Sequence, residues 1–477
     1  MNETRLHARK DLGLLDATTL IMGSMIGSGI FLAPALIAGY VVEKNLGAGN
    51  FVLIWAIGGV LTLCGALSYG ELAAIFPKAG GQYVFLNEAF SPFFGFLYGW
   101  SVFLVIQTGF VAAVAVAFAN YLGVFIPWVS QTHVLLQAGG FTFSSAQLAA
   151  ALLIVFLTWV NTRGLREGAF VQNLFTIAKI AALAGLILFG IASGKGDWSH
   201  FTPMAPQAVT MAVVAAFAVA MSKALFAYDA WNTVTFVAEE TRDPVRTLPR
   251  ALFLGTLGVT VIYTLASVAY LHILPVEAAA AVPDQRIAAA VAEILFGPLG
   301  VTLIAVAILV STFGCDNGLI LAGPRLYAAM AHDGRFFQGA REIDARRGTP
   351  VRSLWYQALW CVILILTGSL GTRGAQLYSD LLTFTSFASL LFNTLTVIGL
   401  FVLRKKAAHL ARPYKVAFYP FIPALYLAVA SFFLVFIAIG DPRNSGIGVA
   451  VILTGVPMYF YWRSKGGPRV AAGSVTG

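Results

Sequence analysis

The chain has 477 residues, of which 59% are hydrophobic and 11% charged, against about 25% charged in a soluble domain, so an ordinary globular protein is excluded. Its net charge of +9 does not mark a nucleic-acid binder, because the Lys and Arg residues gather on alternate connections between long apolar runs. Cys64, Cys315 and Cys361 all lie inside such runs, so no disulfide framework is implied.

Twelve runs lie near 13–41, 51–76, 93–122, 147–162, 168–192, 209–238, 249–273, 297–330, 353–369, 376–403, 418–439 and 445–463. A spanning helix needs about 20 apolar residues. The first run lacks a cleavage pattern and reads as a retained helix. With the N-terminus inside, only Lys44, Lys195, Arg286, Arg373 and Arg443 fall outside, Lys179 and Lys223 fall within helices, and the other Lys and Arg residues are internal. That asymmetry places both termini in the cytoplasm. The expected fold is all-α and polytopic, a single transmembrane domain over 1–465 with a cytoplasmic tail at 466–477. The Arg-rich connection from Ala331 to Arg352 has room for a short interfacial helix.

The first run contains Gly27-Ser28-Gly29. Two glycines flanking a serine invite a helix break. Broken backbone at membrane depth is tolerated only in protein or lining a cavity. Past such a break, N–H groups and the positive end of a helix suit a carboxylate; before it, free carbonyls suit an ammonium. Gly23 and Gly27 also form the GxxxG spacing of close helix packing. In the second run Glu71 lies near the inner end, as an interfacial or gating contact. The fifth run holds Lys179, roughly 20 Å beyond Arg166 at about 1.5 Å per residue, which is too deep for easy snorkelling. The sixth run is interrupted at Phe226-Ala227-Tyr228-Asp229-Ala230-Trp231-Asn232. An aspartate there is costly and marks a site; it either binds a cationic side chain or caps nearby N–H groups. Lys223, before that break, reads as an outer-vestibule charge that either pairs with an acid or repels cations, the latter opposing a cationic substrate. Asp316 in the eighth run is placed along an inner pathway. Breaks five helices apart give an inverted repeat, 13–192 and 209–403, with 418–463 outside it.

The segments Leu12-Gly13-Leu14-Leu15-Asp16 and Gly23-Ser24-Met25-Ile26-Gly27-Ser28-Gly29-Ile30-Phe31 resemble the start of amino-acid permeases of the APC superfamily. The run Phe226–Asn232, its continuation Glu239-Glu240-Thr241-Arg242-Asp243-Pro244, the Val171-Gln172-Asn173 to Lys179 stretch and Arg412-Pro413-Tyr414-Lys415 resemble the L-type amino-acid transporter branch and its bacterial relatives. The resemblance implies a LeuT-type fold of 12 transmembrane helices, five plus five inverted and two extra. It implies that backbone at Ser28 and Gly29 holds the substrate carboxylate, that carbonyls at Met25, Phe226 and Asp229 face the amino group, and that Phe226 is an outer gate. Trp231 and Asn232 match positions near the pocket, whose other walls are expected from helices 3, 8 and 10. Lys179 would stand where sodium-coupled relatives hold a cation between helices 1 and 8, near Gly27, Ser311 and Thr312, or would itself carry a coupling proton.

The implied activity is secondary transport of amino acids by alternating access, as sodium-independent exchange of neutral substrates, with proton symport or uptake of cationic amino acids through Asp229 as alternatives. The location is the bacterial plasma (inner) membrane. No enzyme is implied: the six histidines sit at or beyond helix ends, and there is no HExxH, metal-ligand cluster or Walker-type loop. No cofactor, metal or nucleic-acid partner is expected. The stretch Gly123 to Ala146 has no cysteine, so no covalently linked heavy-chain subunit is expected.

Overall fold

In lipid a backbone can satisfy its polar groups only internally, so long apolar runs become helices. A computed structural model describes residues 12–138, 141–206, 208–344, 347–367 and 374–465. Arg5, Arg9, Lys10 and the tail at 466–477 lie outside the described residues. All twelve runs are helical, and helices are numbered here by the run they fill. Ten are long and apolar enough to cross a membrane. The fourth (Ser145–Asn161) and ninth (Val351–Thr367) are shorter. The protein is an all-α polytopic chain. Short helices at Gln82–Ala89 and Ile287–Phe296, and a hairpin of Val134–Ala138 with Phe141–Ser144, were not expected from the sequence. The 331–352 connection holds one 3-10 turn, Gln338–Arg341, among its described residues.

The two interruptions are where the residue chemistry places them. The first helix runs over Leu14–Met25, stops, and resumes as Gly29–Glu43. The sixth runs over Met211–Tyr228, turns at Asp229 and Ala230, and continues as a 3-10 segment, Trp231–Glu240. Ala230 takes the left-handed conformation, φ 71°, which is unusual for a residue with a Cβ. The third helix (Pro92–Leu122) carries a π-turn at Val102–Ile106. Such turns free carbonyls from the regular ladder, and Trp360 of the ninth helix donates to that of Leu104 at 2.7 Å. The most apolar windows of the first and third helices are 89% buried, whereas those of the eleventh (Phe421–Gly440) and twelfth (Pro442–Ser464) are 28% and 22% buried. The broken helix is therefore interior and the last two are peripheral.

Polar side chains tie the end of the bundle at which Leu12 lies. Asp16 accepts from the Gly13 N–H at 2.8 Å, capping the first helix, and from Asn173 Nδ2 of the fifth (Leu165–Ala192) at 2.7 Å. Leu12 N–H donates to Glu240 O, and Arg242 N–H to Leu12 O, a two-bond bridge between the first and sixth helices. The Glu240 carboxylate takes Arg325 Nε of the eighth helix (Pro298–His332) at 2.9 and 3.0 Å. Glu71, fully buried, takes Arg404 of the tenth helix (Gly374–Lys406) at 2.6 Å, Arg412 at 3.5 Å and the Val416 N–H at 2.9 Å. The expected contact role of Glu71 is thus an anchor for the segment that carries Arg412-Pro413-Tyr414-Lys415.

Both side chains of the Glu240–Arg325 pair are about nine-tenths buried. Breaking a buried pair leaves the other charge uncompensated, at about 3–5 kcal/mol. Glu240→Ala is expected to lower the melting temperature of detergent-purified protein well below that of wild type. Equal melting temperatures would show that the pair does not hold this end.

Candidate functional site

The two breaks face each other. A Cβ on Gly29 would lie 2.4 Å from Ala227 Cβ and 2.7 Å from its Cα, so only glycine lets the first helix touch the sixth there. Tyr263 of the seventh helix (Pro244–Ile273) donates its hydroxyl to both broken helices, at 2.7 Å to Met25 O and 3.2 Å to Ala227 O. Tyr263 is fully buried against Trp55 and Tyr228, with ring centroids 5.5 and 5.0 Å away. Nothing in the sequence set it apart from other tyrosines in apolar runs.

Each expected site residue has a definite place. Ser28 is fully buried, and its carbonyl accepts from the N–H groups of Phe31 and Leu32, which starts the second half-helix. A new helix begins here, at Gly29, with Ser28 as the residue before it. The Met25 carbonyl already accepts from Gly27 N–H at 2.9 Å as well as from Tyr263. With both lone pairs used, Met25 shapes the break in this conformation. The Phe226 carbonyl takes the Asp229 N–H at 3.1 Å, and its ring stacks on Phe110 of the third helix at 4.5 Å.

Asp229 does two things. One carboxylate oxygen accepts from the Ala230 N–H at 2.7 Å, the short-range cap that was one of the two readings of this residue. The side chain also lines a small pocket together with Thr62, Trp231, Ser386, Ser389 and Asn393. The walls come from the second, sixth, tenth and eleventh helices, the last through Tyr426. The tenth is among the walls expected from the sequence; the second and eleventh are additions to them. The α-helical part of the sixth ends at Tyr228, and the extended backbone at Asp229 sends its side chain away from the face on which Ala227 meets the first helix. Trp231 packs edge-on against Tyr69 at 4.6 Å. Asn232 is turned elsewhere: its Nδ2 donates to Gln82 Oε1 at 2.7 Å, and Gln82 donates to Thr396 at 2.9 Å. Lys223 is buried and donates to Thr383 Oγ1 of the tenth helix, so it is not an open vestibule charge.

Lys179 is 1% exposed. Its ammonium donates to Gly23 O at 2.9 Å, Ile26 O at 2.7 Å and Ser311 O at 2.9 Å. An ammonium has three donors, and all three are used. The first two acceptors exist because the first helix stops. The Ser311 hydroxyl also donates to Ile26 O, at 2.9 Å. Next along the eighth helix, Cys315 Sγ donates to Ser24 O at 3.0 Å, and a Cβ on Gly27 would meet that sulfur at 2.7 Å. Gly27 is therefore a close-approach position. Thr312 stays on its own helix, bonded to the carbonyls of Ile308 and Leu309. Gly23 packs on Gln172 and Thr176, so the GxxxG spacing and the break coexist. Among the described residues, no group of three or more His, Cys, Asp or Glu side chains is placed to hold a metal ion.

The geometry joins a broken first helix, an ammonium bonded to carbonyls that the break frees, and a polar pocket beside the second break. A family model described as amino acid permease matches residues 12–462. The chain is 33% identical to the large neutral amino acids transporter small subunit 2 of Mus musculus over 467 residues, covering 96% of this chain and 82% of that one. It is 33% identical to the Asc-type amino acid transporter 1 of Mus musculus, covering 97% and 83%. It is 32% identical to the serine/threonine exchanger SteT of Bacillus subtilis (strain 168), covering 96% and 98%. These are membrane transporters and not enzymes, and on this match the chain belongs to the amino acid permease family.

Proposed function

We propose that this permease exchanges neutral amino acids without sodium, by alternating access. The observation that carries the reading is Lys179. A protonated lysine spanning the first, fifth and eighth helices supplies a fixed positive charge at the point where the break leaves carbonyls open, so no mobile cation is needed there. The substrate carboxylate is placed on the backbone at Ser28 and Gly29, with the amino group toward the carbonyls at Phe226 and Asp229. Phe226 and Phe110 form the gate above it. The side chain enters the cavity beside Asp229. The names of the relatives, a large neutral amino acids transporter and a serine/threonine exchanger, support a neutral substrate. The matched breaks support two inverted repeats, 13–192 and 209–403, that rock against each other.

The placement of Lys and Arg supports cytoplasmic termini in a plasma membrane. The contacts at the Leu12 end then form the inner closure, which must open in the other half of the cycle. Cys64, Cys315 and Cys361 are buried and free, and the 123–146 stretch has no cysteine. Both support transport without a disulfide-linked second chain. A second reading rests on the Asp229 carboxylate in the cavity: a cationic side chain would find its partner there.

Proteoliposomes test this. Uptake of labelled serine or leucine is expected to require amino acid inside the vesicles and to persist when sodium is replaced by choline. Failure of all amino acids to exchange, or a requirement for sodium, overturns the reading. In competition, neutral amino acids are expected to outcompete arginine, and Asp229→Asn to leave that order unchanged. Arginine winning, and losing its advantage in Asp229→Asn, would establish the cationic reading instead.

Lys179→Ala removes three hydrogen bonds to buried carbonyls; Ile26 O keeps the Ser311 hydroxyl and Ser311 O its own helix, while an orphaned Gly23 O costs roughly 1–3 kcal/mol. Exchange in this variant is expected to fall by at least about tenfold, the equivalent of about 1.4 kcal/mol in the barrier. Wild-type exchange in Lys179→Ala would show that the ammonium does not hold the transport machinery.

A further inference from the structure

The pocket beside the second break has walls from helices that are far apart in sequence. The sixth supplies Asp229 and Trp231, and the tenth supplies Ser386, Ser389 and Asn393. One amide joins these two walls just past the pocket, toward the Leu12 end. Asn232 directly follows Trp231, and Thr396 stands about one turn past Asn393. Asn232 Nδ2 donates to Gln82 Oε1 at 2.7 Å, and Gln82 Nε2 donates to Thr396 Oγ1 at 2.9 Å. All three side chains are buried. A glutamine amide carries its acceptor and its donors on one rigid group, and here the two ends are used in opposite directions.

The chain is built to hold that amide in place. Gln82 opens the short helix Gln82–Ala89, which follows the second helix, Gly49–Ile75. The connection turns at Gly80 and Gly81, with φ 94° and 45°, a conformation that glycine adopts without steric cost. Gly80 N–H donates to Phe236 O at 3.4 Å, and a Cβ on Gly81 would run into Thr235. At its other end the short helix meets the tenth, where a Cβ on Gly399 would lie 2.9 Å from Ala89 Cβ. A second tie runs beside the first. Tyr69 of the second helix donates to Asn393 Oδ1 at 2.8 Å and packs its ring edge-on against Trp231. Phe85 of the short helix in turn meets Tyr69, with ring centroids 6.0 Å apart. The second helix and the short helix therefore brace the same two walls, once through an aromatic ring and once through the Gln82 amide.

We propose that Gln82 is a positioning residue that sets the span between the sixth and tenth helices at the pocket, and through it the size of side chain that the carrier accepts. With both bonds made, the walls stand at a fixed separation around a small pocket, which suits a side chain such as that of serine. With the bonds cut, the tenth helix is free to shift outward, and a branched side chain such as that of leucine gains room. Gln82 does not line the pocket. Selectivity is thus adjusted from behind the walls, by a residue that touches no substrate.

This inference rests on the neutral amino-acid reading above, and the two fail separately. Binding of labelled serine and leucine to detergent-purified protein gives their affinity ratio whether or not the carrier exchanges; exchange in proteoliposomes gives the ratio of kcat/KM. Loss of exchange in wild type sinks the exchanger reading and leaves the binding ratio to judge this one. Gln82→Met keeps the length and bulk of the side chain and loses both hydrogen bonds. It is expected to raise the leucine-to-serine ratio by at least about tenfold, which is what one methylene group commands in a pocket, with the change carried by KM. A residue that only stabilised the fold would lower both substrates alike and leave the ratio as it is. Thr396→Val removes the tenth-helix end of the bridge. It is expected to shift the ratio in the same direction and to add nothing to Gln82→Met, because the same link is already cut. Where Gln82→Met does not fold, Thr396→Val decides. A ratio that stays at the wild-type value or moves toward serine overturns the assignment, as do shifts that add in the double variant.

Discussion

An ammonium in a membrane interior must find an acceptor for every one of its protons, and much of the core follows from how Lys179 does so. In a regular helix each carbonyl already accepts from a residue four positions on and has only its second lone pair open. The first helix stops at Met25, and this frees the carbonyls of Gly23 and Ile26 to take two of the three protons. The third goes to Ser311 O within the eighth helix. The break and the lysine therefore support each other: the break supplies two of the three acceptors, and the lysine satisfies carbonyls that the break leaves without helical partners. The same node fixes three helices at one point.

Close approach does the rest. Gly29 against Ala227, Gly27 against Cys315 and Gly23 against Gln172 leave no room for a larger side chain. Backbone thus meets backbone or short side chain where the broken helices cross the bundle. Tyr263 spans the first and sixth breaks from the seventh helix. The two places differ in kind: at the centre backbone approach is set by glycine, whereas the Leu12 end is held by a two-bond bridge and ion pairs that can part without repacking the backbone.

The features legible in the sequence are those whose cost in lipid is high. Gly27-Ser28-Gly29, Asp229 and Lys179 break the rule that a spanning helix is apolar and continuous, so each announced itself. The ten helices long enough to span were legible for the same reason, in the length of their runs. Pairings between distant segments were not. Glu240 with Arg325, Asn232 with Gln82, and Tyr263 with Met25 join residues whose separation in sequence carries no period or spacing. Thr312 and Ser311 are neighbours with the same chemistry, and only the helix rotation decides that Ser311 reaches the first helix while Thr312 bonds to its own turn. The cavity walls depended in the same way on which side of the sixth helix Asp229 leaves.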